Sequence, residues 1–184
     1  MHVAMAASEI PASTSASRRA LAALLRELRQ VLLSVSPQQY TQKPIGPVTS
    51  SIGSHIRHSL DHIEAVVFCS DQDQIDYDHR ARGTPVETSR DAAIAKIDEL
   101  TSALEDSHDV QCRPVLLKAM VSAGNDAVIT QTTTDRELLF AFSHTLHHNA
   151  LIRVMIELLG TAAPPRFGYA PATLAHLDSQ ACAR

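Results

Sequence analysis

The chain contains no tryptophan, and aromatic residues make up only 4% of its 184 positions. A core this short of large rings has to be built from Leu, Ile, Val and Ala, a diet that favours helices. Cysteine is equally sparse: Cys69, Cys112 and Cys182 stand far apart and none forms a CxxC pair. That pattern argues against a disulfide framework and fits reduced thiols in a cytoplasmic setting. There is no run of about 18 apolar residues, so no membrane-spanning segment is expected. Met1 to Ser17 lacks a long apolar stretch, so no secretory leader is expected either. No block of lysine and arginine occurs and the net charge is −4, which leaves nucleic acid without an electrostatic footprint. The six glycines are scattered, with no phosphate-cradling loop and no Gly-x-Ser-x-Gly elbow.

Histidine, by contrast, is abundant: ten in all, six of them in two short windows. One window is Ser54-His55-Ile56-Arg57-His58-Ser59-Leu60-Asp61-His62, the other Ser143-His144-Thr145-Leu146-His147-His148-Asn149. Residues four apart stack on one helical face with Cβ atoms roughly 6 Å apart. The pairs His58/His62 and His144/His148 both have that spacing, which suits two nitrogens sharing one ion. A single histidine on an apolar face is ordinarily a core or rim side chain with its nitrogens hydrogen-bonded. Two pairs on separate helices differ, because a third imidazole from a second helix makes a three-nitrogen site possible.

The surrounding pattern is predicted to be helical. Residues 1–17 are small and polar and read as a disordered segment, with Ser17 placed to cap a first helix. Leu21, Leu24, Leu25, Leu28, Val31, Leu32 and Val35 carry its apolar stripe. Ser36-Pro37 ends it, and residues 37–49 read as a loop. A second helix runs from Ser50 or Ser51 to about Cys69 on the stripe Ile52, Ile56, Leu60, Ile63 and Val67. His55, His58 and His62 share one flank of that stripe, and the periodicity does not choose among them. Residues 71–85 read as a polar connection. A third helix opens at Thr88, with Asp91 completing a weak capping box, and ends near Glu105. Between 110 and 133 the period changes and a turn signal lies at Gly124-Asn125-Asp126, so a short hairpin or extended excursion is expected. Thr134-Asp135-Arg136-Glu137 is a capping box opening a fourth helix to Leu159, and a short helix follows at about 172–178. The expectation is an all-α four-helix bundle, a single domain over 18–178.

Two stretches resemble a known family. Ser-Ile-Gly-Ser-His-Ile-Arg-His-Ser-Leu-Asp-His at 51–62 and Ser-His-Thr-Leu-His-His-Asn-Ala-Leu-Ile at 143–152 are similar to the second-helix and last-helix motifs of the DinB/YfiT-like metalloenzymes. The resemblance extends from about Arg18 to Leu177. It implies a four-helix bundle that binds a divalent ion, nickel or zinc, and that works as a homodimer. Carried over, the metal ligands are His58, His144 and His148, with His55 and His62 in supporting roles and His147 outward or at the rim. Relatives that transfer low-molecular-weight thiols or isomerise thiol adducts suggest a transferase or isomerase acting on a small thiol. Hydrolysis by metal-bound water and a non-catalytic, stress-induced metal-binding dimer are the alternatives. In the enzymatic readings Asp61 or Asp78 orients a histidine or relays a proton. The polar loop from Tyr77 to Gly83, through His79, Arg80 and Arg82, is the expected substrate contact, since arginines grip carboxylates in bidentate fashion.

Overall fold

The computed structural model describes residues 12–46, 48–69, 74–78, 81–106, 112–124 and 126–182. Four long helices form its frame: α1 (Ala12–Ser34), α3 (Ile52–Val67), α5 (Arg90–Asp106) and α6 (Thr134–Leu158). Each packs against two of the others, so that α1, α5, α3 and α6 close a ring around one core. The helical period supplies that core: Leu21, Leu25, Leu28 and Leu32 of α1 meet Ile52, Ile56, Leu60 and Ile63 of α3, and Ile97 and Leu100 of α5. Each of these is almost wholly enclosed, and burying a side chain of that size stabilises by about 1.5–3 kcal/mol. Arg18 of α1 donates to the carbonyls of Leu104 and Ala103 at 3.1 and 2.6 Å, tying α1 to the last turn of α5.

The all-α expectation is overturned by a three-stranded mixed sheet, and by more helices than four. β1 (Gln74–Asp76) pairs parallel with β2 (Pro114–Met120), which pairs antiparallel with β3 (Ala127–Thr133). The antiparallel pair occupies the segment where an excursion was expected. β1, however, is only three residues long and lies within the stretch read as a polar connection. Its central Ile75 is enclosed in the core, and Val115 of β2 joins it there. A strand this short cannot display an alternating pattern, so nothing in its sequence announces a sheet.

Several boundaries also shift. The first helix starts at Ala12, so 12–17 are helical, not disordered; 1–11 lie outside the described residues. The expected loop after Pro37 contains α2 (Pro37–Thr41), opened by a reciprocal capping box between Ser36 and Gln39. Proline suits the first turn of a helix, where its missing N–H is not needed. Thr88 ends a short helix, α4 (Pro85–Thr88); the Ser89 hydroxyl instead accepts from the Ala92 amide at the start of α5. Thr133, not Thr134, caps α6, accepting from the Arg136 amide. Thr133 is also the last residue of β3, so the sheet fixes where α6 begins. α7 (Pro171–Cys182) runs past the expected 172–178 and buries no residue. Among the described residues no helix is long and apolar enough to cross a membrane.

Candidate metal centre

α3 and α6 pack face to face and antiparallel, so their histidine windows meet at one level. His58 lies opposite His144, with their Nε2 atoms 2.9 Å apart, and His55 lies opposite His148, with their Nδ1 atoms 2.8 Å apart. His58, His144 and His148 each offer one nitrogen, and those three nitrogens all lie within 4.8 Å of one another. Three histidines so close together could hold a metal ion. At Zn–N bond lengths of 2.0–2.1 Å, two nitrogens on a tetrahedral ion stand roughly 3.3 Å apart. To hold such an ion the His58–His144 edge would have to open by a few tenths of an ångström, and no edge would have to close by more than about 1.5 Å.

The local chemistry favours neutral rings. Burial, reinforced by the neighbouring His144, His55, His147 and His62, pushes His148 down to about 3. Burial and His147 lower His55 as well. A neutral imidazole keeps the lone pair that a ligand needs.

His62 shares the flank of His58 but faces different work. Its Nδ1 donates to the carbonyl of His58 at 2.9 Å. Its ring is sandwiched between Tyr77, 4.7 Å away and nearly parallel, and His144, at 4.2 Å. Phe140 stacks on the same His144 ring. Periodicity had given His55, His58 and His62 equal claims; the contacts separate them, grouping His58 with the two α6 histidines. His147 is exposed beside His148.

The other candidate residues are placed elsewhere. Asp61 accepts from Arg57 at 2.7 Å, and Arg57 also pairs with Glu87. Asp61 lines a cleft of about 330 Å³ with Glu64, Asp76 and Lys96, to which no histidine contributes among the described residues. Asp78 accepts the Met120 amide at 2.6 Å and so fastens the end of β1 to β2. Arg82 is exposed, and His79 and Arg80 lie outside the described residues. Sequence reading puts Tyr77 in the substrate loop and Glu137 in a capping box, and misses the bond between them. Glu137 has no exposed surface, yet its carboxylate accepts from Tyr77, Thr132 and Arg136. Its place in an apparent capping box hid that role. Only its fall on the buried face of α6, one turn from Ala141, could have signalled it.

Comparison with known proteins adds one relative. The chain is similar to FK506-binding protein 5 of Rhizopus delemar, 32% identical over 108 residues that make up 58% of this chain and 28% of that protein. The matched region thus spans less than a third of the relative's length. No family model matches the chain, and no solved structure does.

Proposed function

We propose that this protein is a divalent-metal-dependent enzyme of the DinB-like kind, acting on a small thiol or thiol adduct as a transferase or isomerase. The observation that carries the metal part is the convergence of His58, His144 and His148 from two helices. Nickel and zinc both accept imidazole nitrogens. Three protein ligands leave a coordination position open, the arrangement of catalytic sites and not of closed structural ones. A divalent ion there would lower the pKa of a bound thiol or water, making a nucleophile available near neutral pH. The thiol as substrate, and a homodimer as the working unit, rest on the resemblance of 51–62 and 143–152 to the family motifs.

The chain's own part in this reading is positional. His62 braces the backbone of His58 through its hydrogen bond and the ring of His144 through stacking. Tyr77 packs on His62, Phe140 packs on His144, and the two aromatic rings meet each other. Apolar and aromatic walls of this kind limit water around a bound ion and strengthen electrostatic interactions there.

The test is elemental analysis of untagged protein beside the His144→Ala/His148→Ala double variant and Asp61→Asn. Wild type and Asp61→Asn are expected to carry about one equivalent of nickel or zinc, and the double variant none. Equal metal in wild type and double variant would sink the metal reading. Titrating a small thiol into cobalt-substituted protein is expected to change the visible spectrum, and an unchanged spectrum would remove the thiol reading in favour of metal-bound water or a passive binder.

A further inference from the structure

The Nδ1 atoms of His55 and His148 approach to 2.8 Å. Two bare lone pairs repel at that separation, so one ring donates a proton and the other accepts it. A neutral imidazole carries a single ring proton. The side on which the shared proton sits therefore decides whether Nε2 of His148 is a donor or a lone pair. Only a lone pair can hold an ion.

We propose that His55 is a positioning residue for the metal centre: with an ion bound, its Nδ1 accepts the Nδ1–H of His148, fixing the tautomer and ring orientation that direct Nε2 of His148 to the ion. The inference rests on the reading of His58, His144 and His148 as ligands. Ligating histidines generally donate their second nitrogen to a carboxylate, a carbonyl or water. Here the acceptor is another imidazole. Among the described residues the contact with His55 is the one side-chain hydrogen bond of His148.

Three features set His55 apart from a packing residue. The contact to His148 is its ring's one hydrogen bond among the described residues; in the proposed tautomer the ring's own proton lies on Nε2, which is enclosed without a partner there, a cost that the link to His148 has to outweigh. The two rings are tilted at 47°, with centroids 5.1 Å apart, so they meet through nitrogens and not by stacking. His55 also stands one helical turn before His58, so a single stretch of α3 supplies one ligand and the acceptor that orients another. An imidazole acceptor is uncharged, unlike a carboxylate, so it sets the geometry of His148 without adding negative charge beside the ion.

The experiment compares zinc affinity, by competition with a chromophoric chelator, for wild type, His55→Leu and His55→Asn. It adds nitrogen NMR of the zinc-loaded wild type labelled at histidine. Leucine removes the acceptor at similar bulk, whereas the asparagine amide oxygen sits close to where Nδ1 was. His55→Leu is expected to bind zinc about 10- to 100-fold more weakly with its urea midpoint little changed, and His55→Asn to recover most of the loss. In the zinc-loaded wild type, His148 is expected to be protonated at Nδ1 and coupled through the hydrogen bond to Nδ1 of His55. Equal affinities for wild type and His55→Leu would overturn the proposal while leaving the ligand set intact; the shared proton found on His55 would overturn it and would also remove His148 as a ligand through Nε2. Absence of zinc binding by the wild type would end both readings together. Should His55→Leu not fold, the wild-type spectrum alone decides.

Discussion

Tyr77 donates its phenolic proton to Glu137 at 2.7 Å in a place where the carboxylate has no exposed surface. Burial first, and then the bond and charge of Glu137, push the tyrosine pKa well above its ordinary value, so the hydroxyl stays a donor. A buried carboxylate persists only when its oxygens are bonded. Thr132 and Arg136 satisfy one oxygen, and Tyr77 serves the other. Tyr77→Phe keeps the ring against His62 but leaves that second oxygen short of a donor. The expected cost is about 1–3 kcal/mol, read from urea unfolding. Zinc affinity is expected to stay near wild type, because the stack on His62 survives. A variant as stable as wild type would show that the bond contributes nothing.

Gly53 stands where α3 crosses α4. A Cβ there would lie 2.1 Å from the Glu87 carbonyl oxygen and 2.7 Å from the Tyr40 ring. Neither neighbour can retreat cheaply: the first is backbone, and the tyrosine hydroxyl is bonded to the Val86 carbonyl at 2.6 Å. Gly53→Ala is expected to destabilise by about 1–3 kcal/mol or more, as overpacking does. Since α3 must shift to make room, the variant should also bind zinc more weakly. Unchanged thermal stability would contradict this packing.

The depressed pKa of His148 gives the fold an acid-sensitive side. The unfolded chain takes up a proton near pH 6.5, whereas folded His148 resists it until about 3. Between those values the unfolded state binds more protons, so stability rises with pH. The contribution is complete above about pH 6.5 and drains away as pH falls toward 3, at up to about 1.4 kcal/mol per unit. His55, lowered in the same direction, adds to the loss. Metal-free protein is therefore expected to show a lower urea midpoint at about pH 5 than at about pH 7.5, with the difference reduced in His148→Gln. Midpoints that coincide would show that the ring is protonated without penalty.

The histidine pattern was legible because helical spacing alone puts His144 and His148 on one face, and because the apolar stripe around them says which face is inward. The choice among His55, His58 and His62 was not, since a flank shared by three rings is resolved only by what packs against it. His62 turns to bond the carbonyl of His58, and His55 meets His148. The four long helices followed their leucine and isoleucine repeats, but the sheet did not. β1 owes its existence to pairing with a strand on the far side of α5 and to the burial of Ile75, neither of which leaves a local trace. α2 was hidden by reading Pro37 as a stop when it opens a helix. Asp61 and Asp78 were attractive as acids beside histidines in sequence, yet each is held by a structural partner, Arg57 or the Met120 amide.

The parallel pairing of β1 with β2 has a consequence for how the molecule assembles. The β2–β3 hairpin can close locally, but β1 joins only after the chain between them, including α4 and α5, has collapsed. Contacts so distant in sequence form slowly. α3 and α6 flank the same intervening chain, so no short fragment presents His58 and His144 together. Any ion held by these histidines would thus depend on the finished tertiary structure, and a ribosome-bound nascent chain would have nowhere to put one.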